Sequence, residues 1–342
     1  MRILYDDTIY NFQRLGGISR YFSEIINRIK KYENAEVSIF NNVKGRFINR
    51  FSSALLEVKL RRGNFDIYHP TYYSLNVKRR RCVKTVVTVY DMIHELYLSS
   101  IKIHSDSIPI KKKSIMRADH IICISKNTKN DLQRIYNIKD DMISVTYLGG
   151  PRECNKPFKD KSLLPAKPYI LYVGNRKLPY KNFMTLVKAF YLSKLEADFD
   201  LLCFGDSEFS KEEVSVFRKL KLDNVIKYME GKDEFLQFYY ENATVFVYPS
   251  LCEGFGIPIL EAMAFGCPVI ASRATSIPEV AGDAALLFSP DSPEELGSCI
   301  WKIINNDALR NEYIEKGRNR CKEFSWDKTA LETFNVYKKL IN

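Results

Sequence analysis

Cys252-Glu253-Gly254-Phe255-Gly256-Ile257-Pro258-Ile259-Leu260-Glu261 is the stretch whose reading decides the fold. It follows the apolar run Val245-Phe246-Val247-Tyr248, which reads as a strand, and the breakers Pro249-Ser250. Two glycines let the backbone pass close to a bulky group, and Pro258 suits the first position of a helix continuing through Ala264. A strand, a glycine loop and a helix N-terminus make a prepared site for an anion in an α/β protein, typically phosphate. Glu253 in the loop and Glu261 in the first turns are out of place beside phosphate alone. They suit a ligand that also carries hydroxyls, as ribose and sugar rings do, so the stretch reads as a sugar-nucleotide site. The competing reading is an ordinary crossover, its glycines serving the turn and its glutamates serving solvent and the helix dipole.

Outward from this stretch, short apolar runs alternate with helical patterns from end to end. In the first half, strands are expected at 3–5, 37–40, 66–68, 85–90, 121–124 and 143–146, with helices at 18–29, 110–118 and 125–136. The 18–29 pattern places Ile18, Tyr21, Phe22, Ile25, Ile26 and Ile29 on one face. Around 149–168, Gly, Pro and Lys cluster without periodicity and mark a linker. Alternation then resumes, with strands at 169–173, 201–204, 225–228, 245–248, 268–271 and 285–288 and helices from 293 to 340. Such alternation means parallel sheets covered on both faces. The expected fold class is α/β, two doubly wound, Rossmann-like domains in tandem, facing across a cleft that holds the ligand. The expected boundaries are 1–155, 156–325 and a C-terminal helix at 326–342 packing back on the first domain.

The 342 residues suffice for two full cores, and 46% hydrophobic with 27% charged residues is ordinary globular composition. No run of about 18 apolar residues offers a membrane-spanning helix. The N-terminus turns acidic at Asp6-Asp7, too soon for a secretory signal. The eight cysteines (Cys82, Cys123, Cys154, Cys203, Cys252, Cys267, Cys299, Cys321) include no Cys-x-x-Cys pair, and several sit in apolar runs. Reduced thiols in a cytoplasmic protein are expected. The net charge of +11 is uneven: residues 1–155 hold 27 basic against 15 acidic side chains, the rest 25 against 26. That asymmetry points to a polyanion or an anionic membrane surface as a neighbour of the first half, with Lys78-Arg79-Arg80-Arg81 and Lys111-Lys112-Lys113 as contacts. A merely solvated basic surface is the alternative. Nucleic acid is not expected, since the charge is confined to one half and no RNA- or DNA-binding motif occurs.

Other segments carry candidate chemistry. Gly16-Gly17 follows the first strand and opens a helix, where a turn approaches a diphosphate or sugar, or simply needs unusual dihedrals. Arg176 and Lys181, after the strand at 169–173, suit a leaving diphosphate through charge-assisted hydrogen bonds; Lys177 reads as solvated, and all three as plain surface cations in the bland reading. Phe204-Gly205-Asp206 and Met229-Glu230-Gly231 close strands on the same edge, where a base would rest. Asp91, His69 and His94 stand at or near strand ends in the first half. No metal site is expected: Asp198-Phe199-Asp200 precedes its strand and faces the wrong edge, and no His/Cys cluster has zinc spacing. Walker and dinucleotide glycine motifs are absent, which argues against a P-loop NTPase or a dinucleotide oxidoreductase.

Glu253 and Glu261, set in the run from Tyr248 to Ile270, strongly resemble glycosyltransferase family 4, a group of retaining GT-B enzymes. The likeness extends through Ile277-Pro278-Glu279-Val280-Ala281-Gly282-Asp283, Val173-Gly174 and Lys181-Asn182, and into the first domain at Leu15-Gly16-Gly17-Ile18-Ser19-Arg20 and Ala118-Asp119-His120-Ile121. Among subgroups it looks most like bacterial mannosyltransferases of lipopolysaccharide O-antigen and capsule assembly, which use GDP-mannose. The resemblance implies that Glu253 holds sugar hydroxyls beside the backbone of Gly254, Phe255 and Gly256. It implies that Glu261 binds the ribose, that Arg176 and Lys181 stabilise the diphosphate, and that Gly17 lies near phosphate or sugar. Where the family often has histidine before the aspartate at Asp91, this chain has Tyr90, and His94 is the candidate substitute.

The expectation is therefore a retaining, metal-independent hexosyltransferase that takes a nucleotide sugar as substrate, with no cofactor. Its acceptor would be a lipid-linked oligosaccharide or polysaccharide, met at the inner face of the cytoplasmic membrane by a peripheral protein. The alternatives are a UDP- or dTDP-linked donor, or a sugar-nucleotide epimerase on the same fold.

Overall fold

A computed structural model describes residues 1–13, 16–41, 49–75, 80, 82–97, 107–151, 158, 160, 162, 164–205, 207–231 and 233–342. The chain forms two compact units, Met1–Gly149 with Phe324–Asn342, and Gly150–Glu323. In unit 1, β1 (Arg2–Asp6), β2 (Glu36–Phe40), β3 (Ile67–His69), β4 (Lys84–Val89), β5 (His120–Cys123) and β6 (Ile143–Val145) make an all-parallel sheet in the order β2-β1-β3-β4-β5-β6. Between them run α1 (Thr8–Phe12), α2 (Gly17–Ile29), α3 (Asn49–Arg62), α4 (Ile93–Tyr97), α5 (Ser107–Arg117) and α6 (Lys126–Tyr136). Helix α2 buries Tyr21, Phe22, Ile25, Ile26 and Ile29, the face its spacing predicted. Helix α6 starts because the Ser125 hydroxyl accepts the Thr128 N–H, and stops at Asn137 in the left-handed region.

One expectation needs correction. Gly16-Gly17 does not follow β1 directly, because α1 intervenes. The Asp6 carboxylate accepts the Thr8 N–H at 3.0 Å and turns the chain into this short helix.

In unit 2, β7 (Tyr169–Val173), β8 (Asp200–Phe204), β9 (Ile226–Met229), β10 (Val245–Tyr248), β11 (Val269–Ser272) and β12 (Ala285–Phe288) form a second parallel sheet, ordered β12-β11-β10-β7-β8-β9. The helices are α7 (Phe183–Leu192), α8 (Lys211–Lys219), α9 (Asp233–Asn242), α10 (Ile257–Ala264), α11 (Ile277–Ala281), α12 (Pro293–Ile304) and α13 (Asp307–Cys321). Strands β7, β8, β10 and β11 are buried along their whole length, which is why they read as unbroken apolar runs. Asp200 opens β8 and pairs with Lys227 at 2.6 Å.

The last helix, α14 (Trp326–Ile341), belongs to unit 1. Ser325 caps it by accepting the Lys328 N–H. Its buried face carries Trp326, Phe334 and Tyr337. The Tyr337 hydroxyl meets His69 Nδ1 at 2.6 Å and the Tyr5 hydroxyl at 2.9 Å. His69 Nε2 reaches Thr88 Oγ1 at 2.9 Å, and Thr88 in turn reaches the Tyr21 hydroxyl at 3.2 Å. His69, a candidate for chemistry in the sequence, is thus a core residue whose two ring nitrogens are both satisfied. Burial lowers its pKa from 6.5 to about 3, so the ring is neutral.

Candidate functional site

The build of the unit 2 sheet reverses between β7 and β10. From β7 the chain moves out to β8 and β9, then returns to the opposite side of β7 with β10. At such a switch point the two loops leave in opposite directions and a crevice opens at the carboxyl ends. Arg176 and Lys181 stand in the loop after β7, Gly205 after β8, and Glu253 to Gly256 after β10.

Lys181 and Glu253, read separately in the sequence, meet here: Nζ donates to Oε1 at 2.7 Å. The Tyr248 hydroxyl, from the end of β10, bonds to the same carboxylate. Burial first, and then this carboxylate, push the Tyr248 pKa well above 10, so it remains a donor. The backbone of Glu253 is fixed from the loop after β11. Its N–H donates to Thr275 Oγ1 at 2.9 Å, and its carbonyl accepts from Thr275 Oγ1 (3.2 Å) and Ser276 Oγ (2.8 Å). Thr275 holds φ at +46°, uncommon for a β-branched residue and of the kind that clusters at functional sites. Asn182 ties three loops together, donating from Nδ2 to the carbonyls of Pro249 (3.0 Å) and Pro290 (2.9 Å).

Helix α10 begins at Ile257, with Pro258 in its first turn and Gly256 as N-cap at φ +109°, a conformation that favours glycine. Gly256 as N-cap has no side chain with which to cap this terminus, and the Glu253 loop leads directly into its positive end. Phe255 is buried and contributes its backbone, the carbonyl accepting from Ser276 Oγ at 3.1 Å. Glu261 is the fifth residue of α10, and with burial it raises the pKa of Tyr240.

Arg176 is only 2% exposed in its side chain. Its Nε donates to Glu213 Oε1 at 3.1 Å, Nη2 donates to the Ser207 carbonyl, and the guanidinium lies 4.6 Å from the Phe209 ring centroid. A buried guanidinium needs such partners, because an unpaired charge in the interior is costly. Glu213 is shared: its Oε2 accepts the Ser210 N–H at 2.7 Å in a capping box at the start of α8. Among the described residues, Arg176 Nη1 and the Tyr172 hydroxyl are buried without a hydrogen-bond partner. Native proteins leave few such groups unpaired, and each one calls for an explanation. Gly205 lies beside them; a Cβ there would come within 2.6 Å of the Gly174 carbonyl oxygen, so the close approach of these two loops requires glycine.

In unit 1, Gly17 is the first residue of α2 and Gly16 its N-cap, whose carbonyl accepts from Ser19 Oγ at 3.0 Å. Asp91 follows β4; its Oδ1 accepts the Ile93 N–H at 3.1 Å, and its backbone carbonyl accepts from Lys111 Nζ at 2.6 Å. His94 sits in α4 and, among the described residues, makes no hydrogen bond to Asp91.

Two proposed surface contacts are corrected. Lys111 is 4% exposed and paired with Glu95 at 2.9 Å, and Arg80 is mostly buried and paired with Glu57 at 2.8 Å. Both charges are neutralised inside the unit, whereas Lys112 and Lys113 are exposed. Lys78, Arg79, Arg81, Leu15, Asp206 and Cys154 lie outside the described residues. Among those described, all cysteines are free, no three His, Cys, Asp or Glu side chains gather as metal ligands, and no helix is long and apolar enough to cross a membrane.

Sequence reasoning missed Glu213, Tyr172, Tyr248, Thr275 and Ser276. Only Glu213 carried a signal, the Ser-x-x-Glu box at 210–213. The others act across contacts that no local pattern encodes.

The family model described as "Glycosyl transferases group 1" matches residues 155–320, and "Glycosyltransferase Family 4" matches 25–149. The chain is 31% identical over 291 residues to an O-antigen chain mannosyltransferase B of Escherichia coli, covering 80% of this chain and 74% of the relative. In structure it is similar to sucrose-phosphate synthase of Thermosynechococcus elongatus, with a TM-score of 0.81, 19% identity and 99% of both chains covered. It is also similar to the Anabaena HepE protein solved with UDP and glucose, with a TM-score of 0.75, 16% identity, and 99% of this chain and 100% of that one covered. At those identities the two structures speak for the fold.

Proposed function

The chain belongs to glycosyltransferase family 4 and has the GT-B fold, and from that premise we propose that it transfers a hexose from a nucleotide sugar to a surface glycan with retention of configuration. One observation carries the reading: a lysine joined at 2.7 Å to a glutamate in the loop that enters a helix N-terminus with glycine as its N-cap, at the switch point of a parallel sheet. A cation with a helix dipole suits a diphosphate, and a carboxylate suits sugar hydroxyls. Together they suit a ligand that has both.

In this reading Lys181 meets the leaving diphosphate and Glu253 accepts hydrogen bonds from the sugar. Glu261 serves the ribose, and the backbone of Gly254 to Gly256 lines the sugar. Arg176, its charge balanced by Glu213, offers Nη1, unpartnered among the described residues, as a hydrogen-bond donor beside Gly205. The acceptor oxygen bonds to the anomeric carbon on the face from which the diphosphate leaves. The carbon–phosphate-oxygen bond breaks, its electron pair stays on the diphosphate, and a phosphate oxygen takes the acceptor's proton. The protein's work is orientation and charge stabilisation, with the cations in place of a metal.

Mannose is the sugar favoured by the name of the E. coli relative, and GDP-mannose is the donor we propose for it. A UDP-linked sugar is the second reading, favoured by the ligands in the HepE structure. A lipid-linked oligosaccharide at the inner membrane face is the acceptor, a reading supported by the basic excess of residues 1–155 and by the exposed Lys112 and Lys113. The decisive experiment is a thermal-shift panel of GDP, UDP, dTDP and ADP on the wild type and Lys181→Ala, because a ligand stabilises according to its affinity. One nucleotide should raise the melting temperature of the wild type and shift the variant far less; no response to any of them would sink the assignment. Product analysis without acceptor separates transfer from epimerisation, and activity abolished by chelator and restored by Mn²⁺ or Mg²⁺ would contradict the metal-free mechanism.

A further inference from the structure

We propose that Tyr248 is a positioning residue of the transfer reaction: its hydroxyl keeps the Glu253 carboxylate in place for the sugar while Lys181 turns to the diphosphate. The proposal rests on the roles given above to Lys181 and Glu253. It adds a residue that acts through Glu253 rather than on the donor itself.

Tyr248 ends β10 and is 1% exposed. Its hydroxyl bonds to the Glu253 carboxylate, and burial together with that charge keeps the phenol protonated, so it is the donor. Lys181 Nζ lies 5.6 Å from the centroid of the same ring. The ring also reaches the entry of α10: a Cβ on Gly256 would stand 3.7 Å from Tyr248 Cε1. Phe246, two residues back on the same face of β10, packs on it with centroids 5.8 Å apart. One buried ring thus underlies the cation, the carboxylate and the helix entry.

The ion pair shows why such a residue is needed. Lys181 Nζ donates to Glu253 Oε1 at 2.7 Å, and the two side chains are 16% and 11% exposed. An ammonium on a flexible stem has three N–H donors, so it can turn from the carboxylate to a diphosphate, which carries more charge. A largely buried carboxylate that gives up its cation is costly unless another donor stays with it. Thr275 and Ser276 fix only the backbone of Glu253, which leaves its side-chain torsions free. Tyr248 supplies the donor that stays. A carboxylate has about four acceptor sites, so the one given to Tyr248 leaves others for sugar hydroxyls. Their orientation is then set from the core, and transfer depends steeply on such placement.

The test compares the full chain as wild type, Tyr248→Phe, Glu253→Gln and the double variant, with GDP, UDP, GDP-mannose and UDP-glucose as probes. Circular dichroism confirms that each variant folds, and Tyr248→Met gives the same comparison should Tyr248→Phe not fold. Thermal shifts report binding of the nucleotide and of the matching nucleotide sugar, and release of free nucleotide from the sugar gives kcat and KM. The nucleotide alone should stabilise Tyr248→Phe as it does the wild type, because Lys181 is untouched. The further shift that the sugar adds should shrink. In Tyr248→Phe, kcat should fall by about tenfold while KM changes by less than about threefold. The double variant should be no slower than Glu253→Gln, because Tyr248 works through that carboxylate. Wild-type kcat in Tyr248→Phe overturns the proposal. So does an equal loss with and without the Glu253 carboxylate, or a nucleotide shift that falls with kcat, either of which would make Tyr248 a packing residue only. Failure of the donor reading shows separately, as no thermal shift of the wild type with any of the probes, and takes the proposal with it.

Discussion

Lys181 and Glu253 are 72 residues apart in sequence, and each was legible alone because of the loop it stands in. Their pairing was not, since it depends on β7 and β10 becoming neighbours. Lys181→Ala and Glu253→Ala should each cut turnover by at least about tenfold, from the loss of some 2–4 kcal/mol of transition-state stabilisation; wild-type kcat in a folded variant would refute the roles given to them. Thr275 was invisible to sequence reasoning, because nothing local asks a threonine to hold φ at +46°. Thr275→Ala removes two hydrogen bonds to the Glu253 backbone. It should lower stability by roughly 1–2 kcal/mol in urea titration, less whatever strain is relieved, and depress kcat. Glu213→Gln leaves Arg176 buried without its counter-charge, so urea titration should show an unfolding free energy lower by about 3 kcal/mol. Ser210→Ala, which removes only the helix cap, should cost about 1 kcal/mol.

Most elements followed their patterns, because buried parallel strands need apolar runs and amphipathic helices need their spacing. Helix α1 escaped because five residues, with no side-chain cap and only Ile9 buried, leave no periodic signal. Helix α10 was legible from its glycines and Pro258, yet the sequence left open whether those glycines served a turn or a ligand. The structure gives Gly256 φ +109° at the N-cap, which answers for the turn. Gly256→Ala should therefore cost about 1–3 kcal/mol of strain and weaken any nucleotide-induced thermal shift by distorting the helix entry. A melting temperature equal to the wild type would show that the loop relaxes freely.

At the scale of the molecule, α14 returns to unit 1 and plugs Tyr337 into the network of His69, Tyr5, Thr88 and Tyr21. His69 has a folded pKa near 3 against 6.5 unfolded, so the folded state favours the neutral ring. Its contribution is complete above 6.5 and is lost as pH falls from 6.5 towards 3, where the unfolded chain binds the extra proton. Stability should fall by about 1.4 kcal/mol per pH unit in that window, and His69→Gln should be less stable near neutrality but flatter with pH. Urea titrations at about pH 7 and about pH 5 on both proteins check it. By itself, the sequence determined the two α/β halves, the strand-end loops that carry Glu253, Lys181 and Arg176, and the surplus positive charge of the first half, because periodicity, turn residues and charge are local properties. Only the tertiary structure decided which of those charges are neutralised, that His69 is core, and that Lys181 meets Glu253. Strand order and burial are collective outcomes of the whole chain, and they set which side chains share an edge.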